Sequence, residues 1–189
     1  PFATVFGCSD SRVAAEIIFD QGLGDVFVVR TAGTVIDPGV LGSLEFGVEV
    51  LGTPLIVVLS HTSCGAIRAT LEAVATRQLP GGFLRDVVER IAPSYLLAGS
   101  TAEPTPGEVG RAHLRHVVSL LAERSRAIRY AVERGDLAIV GAGPIGCCAV
   151  AVARAAGARQ VFITDIRPYR LALATRMGAD RVLDSTRED

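Results

Sequence analysis

Short apolar runs alternate with longer amphipathic stretches along the whole chain. The runs at 3–7, 25–30, 54–60, 137–142, 160–165 and 181–184 are built from apolar residues and bounded by Gly or polar residues. That is the pattern of buried strands. Between them, 13–19, 39–51, 66–77 and 109–134 carry apolar residues at helical spacing. Strands alternating with helices predict βαβ units, hence an α/β fold with a mostly parallel sheet and flanking helices. Continuous Val, Ile and Leu strands suit a sheet covered on both faces. The segment AGSTAEPTPG (98–107) is small, polar and Pro-rich, and reads as a surface loop and internal boundary.

Composition narrows the function classes. The chain has 189 residues, 49% of them hydrophobic, enough for a real core. Its formal net charge is -1, so neither nucleic acid nor an anionic membrane is expected as a partner. All 19 basic residues are Arg, which removes lysine chemistry such as a Schiff base or a P-loop. No apolar run approaches the ~20 residues that span a bilayer. The chain opens on Pro1 rather than Met, so a native N terminus is expected upstream. Four cysteines are too few for a disulfide scaffold at this length. They read as thiols of a cytoplasmic protein, available to a metal.

Two segments carry candidate chemistry. FGCSDSRV (6–13) follows the first apolar run, and LSHTSCGA (59–66) follows the third. In a parallel sheet, ligand-binding groups gather beyond the carboxyl ends of strands. Cys8, His61 and Cys64 then offer two sulfurs and one nitrogen, a soft set suited to tetrahedral zinc with one position left for water. Asp10 is an oxygen ligand or an acceptor beside the metal, and Arg12 can grip its carboxylate with two prongs. Held by Arg12, Asp10 leaves the metal its water; swung onto the metal, it closes the site. Each segment taken alone reads as a turn that caps a helix, with a core cysteine or a satisfied histidine. Their joint placement at strand ends favours a metal.

CSDSR (8–12) and HTSCG (61–65) resemble the two zinc motifs of the β-class carbonic anhydrases. VFVVRTAG (26–33), GSLEFGVEVLG (42–52) and LPGGFLRDVVERIAPS (79–94) are similar to further stretches of that family, so the resemblance covers about 1–140. It implies that Cys8, His61 and Cys64 bind zinc and that Asp10 and Arg12 form a gating pair. It also implies that Ala32, Gly33 and Gly65 line the substrate crevice through backbone groups. The implied reaction is reversible hydration of CO2 to bicarbonate by zinc-bound hydroxide, in a homodimer or higher homo-oligomer. Carbonyl sulfide and carbon disulfide are alternative substrates. The family's N-terminal helices, which embrace the partner subunit, have no counterpart in this stretch. Thr34 stands where the family more often has Asn or His, and Ser60 where Gly is common.

From residue 140 the chain departs from that family. Gly141, Gly143 and Gly146 give G-x-G-x-x-G directly after an apolar run, and Asp165 ends the next run about twenty residues on. These four are candidate NAD-binding residues. The stretch 137–184 resembles the NAD-binding domain of zinc-type medium-chain alcohol and threonine dehydrogenases, without its nicotinamide half. The expected organisation is a zinc domain at 1–136 and a partial Rossmann-like βαβαβ segment at 137–189. We expect the segment to bind nothing, because half a dinucleotide fold offers half the contacts. An NAD(H)-binding oxidoreductase fragment and a non-catalytic zinc-binding domain are the competing readings. Cys147 and Cys148 are adjacent in the predicted helix and read as packing residues. His113 and His116 read as part of a solvated helix face.

Overall fold

The computed structural model describes residues 1–99, 103–142, 162–165, 175 and 181–184. Four parallel strands form the main sheet: β1 (Ala3–Cys8), β2 (Val26–Thr31), β3 (Leu55–Leu59) and β4 (Ala138–Ala142), in the order β2-β1-β3-β4. β5 (Phe162–Asp165) and β6 (Arg181–Asp184) pair with each other in parallel. β1 is central: Cys8 stands opposite Thr31, and Gly7 opposite Leu59. The carboxyl ends of β1, β2 and β3 therefore lie side by side, as the apolar runs predict.

Every residue of β1 and β3 is buried. One face of the sheet, with Phe6, Ile56 and Val58, packs on α2 (Pro38–Glu45), α5 (Pro106–Arg124) and α6 (Arg126–Glu133) through Leu44, Leu121 and Ile128. The other face, with Val5, Leu55 and Val57, packs on Ala15 of the short α1 (Ala15–Ile18) and on Phe19. A third cluster joins Val35, Ile67, Ile91 and Val109. It ties α3 (Gly65–Thr76), α4 (Leu84–Leu97) and α5 to the loop after β2, beneath the strand ends.

Four local predictions change. The stretch 39–51 is α2 followed by a π-helical turn, Phe46–Val50. The stretch 109–134 is two helices, broken at Ser125, whose side chain accepts the N–H of Ile128 and caps α6. α4 is additional: its apolar stripe was hidden by Pro93, which sits inside the helix. α4 runs to Leu97 and α5 begins at Pro106, so the expected loop at 98–107 is two residues shorter at its end. Of that loop, 100–102 lie outside the described residues. α5 starts on a capping box, in which Thr105 and Glu108 exchange side-chain and backbone hydrogen bonds.

Candidate metal centre

β1 delivers Cys8 as its last residue, and β3 delivers His61 two residues past its end. Cys64 precedes the first residue of α3. Neighbouring parallel strands put these three on one crevice, where one ligand atom from each lies within 4.8 Å of the others. Cys8 is buried and the His61 side chain is 6% exposed.

The donor set fits a zinc ion on observations internal to this structure. His61 Nδ1 lies 3.0 Å from the Thr62 carbonyl, which makes Nδ1–H the donor and leaves Nε2 with its lone pair. That Nε2 is buried and has no hydrogen-bond partner among the described residues. A buried, unpaired nitrogen beside two sulfurs is the arrangement a soft divalent ion completes. The hydrogen bond from Cys64 brings the Cys8 thiol down to about 4, against the opposing effect of burial. The backbone N–H groups of Asp10 and Gly33 act in the same direction. The same hydrogen bond between the two thiols, with burial, pushes the Cys64 thiol up. Two sulfurs this close, one of them favouring its thiolate, are donors that a cation can draw on.

Backbone geometry aims the ligands. Gly33 donates its N–H to Cys8 Sγ at 3.3 Å. It sits at φ 68°, and a Cβ there would meet Ala66 Cβ at 2.7 Å and Ile91 Cδ1 at 2.8 Å, so only glycine fits. Thr34 and Ser63 also lie in the left-handed region, at φ 56° and 55°. Such conformations cost energy and concentrate where a site over-determines the chain. Ser63 directly precedes Cys64, so its turn sets the direction of that sulfur.

Asp10 and Arg12 stand at the rim. Arg12 Nε donates to Asp10 Oδ1 at 2.9 Å and Nη2 donates to Oδ2 at 2.7 Å. The Arg12 backbone N–H adds a third bond to Oδ1 at 3.0 Å, and Nη2 reaches the Ser63 carbonyl at 3.3 Å. The Arg12 side-chain hydrogen bonds hold the Asp10 carboxyl well below the usual carboxylate range. Asp10 Oδ2 is 4.0 Å from His61 Nδ1. Arg30, not singled out in the sequence, donates to the carbonyls of Cys8 at 2.9 Å and Asp10 at 2.5 Å, which fixes the turn between them.

Gly33 lines a cavity of about 10 Å³, with Thr34, Ser60, His61, Cys64 and His113. Ala32 and Gly65 are exposed and lie outside that lining. Gly141 is in β4, opposite Val58. Asp165 ends β5. Gly143, Gly146, Cys147 and Cys148 lie outside the described residues.

His113 corrects the expectation of a solvated face. It is 6% exposed, whereas His116 is half-buried. Its Nδ1 lies 2.9 Å from Ser94 Oγ and its Nε2 lies 2.9 Å from the Gly33 carbonyl. The spacing carried a signal: Val109, His113, Val117 and Leu121 follow a four-residue step, and all are buried.

A parallel α/β sheet with a Cys, His, Cys cluster past adjacent strand ends, beside a paired Asp and Arg, defines an α/β protein with a candidate zinc centre. The carbonic anhydrase family model matches residues 3–143, and a zinc-binding dehydrogenase model matches 144–189. The chain belongs to the carbonic anhydrase family, and its fold is that of the β class. It is 58% identical over 141 residues to carbonic anhydrase 2 of Mycobacterium tuberculosis, covering 75% of this chain and 68% of that protein. Among solved structures, the β-carbonic anhydrase CcaA superposes with a TM-score of 0.65 at 24% identity, over 74% of this chain and 66% of that one. The tetrameric β-carbonic anhydrases of Sordaria macrospora give 0.61 at 25% identity, over 74% and 73%. The C-terminal segment is 59% identical over 54 residues to L-threonine 3-dehydrogenase of Deinococcus radiodurans, which is 29% of this chain and 16% of that protein.

Proposed function

We propose that the chain catalyses the reversible hydration of CO2 to bicarbonate at a zinc ion held by Cys8, His61 and Cys64. The observation that carries this is the convergence of those three ligand atoms within 4.8 Å, with His61 Nε2 buried and unpaired among the described residues. Zinc, when bound, supplies Lewis acidity that lowers the pKa of a water molecule from about 15.7 towards about 7. The protein's own residues do the rest. His61 would hold the metal through Nε2, while the Thr62 carbonyl holds the opposite nitrogen. Asp10, kept anionic by Arg12, orients the attacking water by accepting a hydrogen bond at Oδ1 or Oδ2. Its depressed pKa makes it a poor proton acceptor, so it orients rather than deprotonates. Gly33 and its neighbours bound a cavity of about 10 Å³, room for about one water molecule beside the ligands and none for a nucleotide. Ala32 and Gly65 flank this loop and the start of α3, and contribute backbone groups at its mouth.

Asp10 and Arg12 act as the gate. With Asp10 held by Arg12 a bound metal would keep a position open; Asp10 released from Arg12 would be free to fill that position and close the site. The division into a zinc unit at 1–136 and a Rossmann-like unit at 137–189 belongs to the same proposal, with β4 the strand where the two meet. A homo-oligomer is favoured by β2, an edge strand in the main sheet whose residues are all half-buried, and by exposed Leu23 and Phe83. Among the described residues no helix is long and apolar enough to cross a membrane. The thiols of Cys8 and Cys64 call for a reducing compartment, which favours the cytoplasm.

The C-terminal likeness to dehydrogenases favours one second reading, NAD binding through Gly141, Gly143, Gly146 and Asp165. Metal analysis with stopped-flow CO2 hydration from about pH 7 to about pH 9 decides between the readings. Stoichiometric zinc with proton release on CO2 addition supports the proposal. Zinc without turnover at any pH means a non-catalytic zinc domain. Absence of zinc, with a thermal shift on adding NAD, supports the second reading.

A further inference from the structure

We propose that His113 is a positioning residue for the metal centre: from α5 it fixes Gly33 so that the Gly33 N–H is donated to the Cys8 sulfur. The inference rests on the zinc reading above and names a residue eighty positions from Gly33 that serves it. Three contacts form a line. Ser94 Oγ lies 2.9 Å from His113 Nδ1, His113 Nε2 lies 2.9 Å from the Gly33 carbonyl, and Gly33 N lies 3.3 Å from Cys8 Sγ.

The proton positions along this line follow from chemistry. A carbonyl only accepts, so Nε2 carries the hydrogen. In a neutral imidazole Nδ1 is then the acceptor, and Ser94 O–H donates to it. His113 is kept neutral because burial lowers its pKa. Ser94 is fully buried, so the hydroxyl has no solvent alternative.

The effect on Cys8 is positional. The N–H and the C=O of Gly33 belong to different peptide units, so His113 does not polarise the N–H that reaches sulfur. It anchors the far side of a residue held at φ 68°, where two contacts under 3 Å await any Cβ. With the carbonyl tied down, the residue is held in the conformation that aims its N–H at Cys8. That hydrogen bond draws charge from the thiolate and sets how much it gives the metal. Packing alone would not select histidine. An apolar side chain would fill the space without burying two polar nitrogens that both need partners. Here one partner is the loop that touches a ligand.

The test uses the full chain loaded with cobalt(II) in place of zinc, read by its thiolate-to-cobalt charge-transfer absorption. His113→Phe removes the anchor; His113→Gln keeps an N–H at the position of Nε2. The expected result is a shift of the band to lower energy in His113→Phe and its return towards the parent position in His113→Gln. Zinc affinity, measured by chelator competition, should fall about 10- to 100-fold in His113→Phe and recover in His113→Gln. Should His113→Phe fail to fold, Ser94→Ala decides: releasing Nδ1 should move the band in the same direction. An unmoved band in a folded His113→Phe or in Ser94→Ala overturns the inference, as does an equal shift in the Phe and Gln variants. A parent protein without the band overturns the zinc reading itself, and this inference with it.

Discussion

Arg12 holds Asp10 through two parallel side-chain hydrogen bonds, at 2.9 and 2.7 Å, at the rim of the metal cluster. The pairing is bidentate, the strongest geometry a carboxylate and a guanidinium adopt. It engages both carboxylate oxygens with the arginine and so would keep Asp10 away from a metal held by the cluster. Arg12→Ala should free Asp10 to take the fourth position. Zinc content should stay at one equivalent while CO2 hydration falls by about 10- to 100-fold. Metal analysis and stopped-flow assay on the same sample check both halves. Loss of zinc in this variant would contradict the gating role.

Cys8 ends β1 and Cys64 precedes α3, so the two sulfurs reach the cluster from different elements and neither can stand in for the other. Cys8→Ser removes the sulfur that accepts from Gly33 and replaces a buried thiolate by a hydroxyl that binds zinc weakly. We expect the variant to purify with far less than one equivalent of zinc and with a lower melting temperature. Treatment of the parent with a strong chelator should reproduce both effects, and zinc should reverse them. Retention of one full equivalent of zinc in Cys8→Ser would remove this residue from the ligand set.

Gly33→Ala tests the loop that aims the ligands. The added methyl meets Ala66 and Ile91 under 3 Å, and the left-handed backbone at φ 68° disfavours any side chain. The loop must shift, and with it the N–H donated to Cys8. A loss of about 1–3 kcal/mol follows from the strained conformation alone. At this chain length that is a fall in melting temperature of about 2–4 °C per kcal/mol. Thermal denaturation of the zinc-loaded protein measures it. An unchanged melting temperature would mean the loop relaxes without cost.

How much of this was legible in the chain follows from where polar residues interrupt apolar runs. Cys8 and His61 were readable because each stands where a strand pattern stops, and parallel topology sends strand ends to one side. The pairing of Asp10 with Arg12 was readable from two-residue spacing. Arg30 was not: an arginine ending an apolar strand resembles a solvent-facing terminus, yet its guanidinium turns in to two carbonyls. His113 was missed because a polar residue in an amphipathic helix is assigned by default to the wet face. Only the four-residue step shared with Val109 and Val117 places it inside. α4 was hidden by Pro93, whose missing N–H usually ends a helix. Ser125 did not look like a break because apolar spacing resumes directly after it. The left-handed turns at Thr34 and Ser63 are set by tertiary closure and have no local signal.

Buried His113 also gives the protein an acid limb. Desolvation, the largest influence, lowers its pKa below the ordinary 6.5, against smaller opposing hydrogen bonds that the imidazole makes to the Gly33 and Thr34 backbone. The unfolded chain therefore binds a proton that the folded chain refuses. Stability is fully present above about pH 6.5 and falls as pH drops below it, towards the lowered folded value. Urea unfolding at several pH values between about 5 and about 8 should show this slope in the parent and a smaller one in His113→Gln, which has nothing to protonate. Equal slopes in the two proteins would assign the acid limb to other groups.

Ser125 joins two parts of the fold that the sequence presents as one helix. Its Oγ accepts the Ile128 N–H at 3.1 Å and donates to Glu45 Oε1 at 2.6 Å, and the residue is 1% exposed. The first bond satisfies an N-terminal donor of α6. The second pairs the last residue of α2 with the α5–α6 break, eighty positions away. Ser125→Ala removes both at once and leaves a half-buried carboxylate without its donor. The expected cost is about 1–3 kcal/mol. Ser125→Thr keeps the hydroxyl and should recover most of it if the extra methyl is accommodated. Because Ser125 is remote from the metal ligands in the contacts described, zinc content and the position of the cobalt band should not move. Denaturation midpoints measured with the zinc content separate this purely structural role from that of His113. A change in the metal site of Ser125→Ala would show that the helix break and the strand ends are coupled.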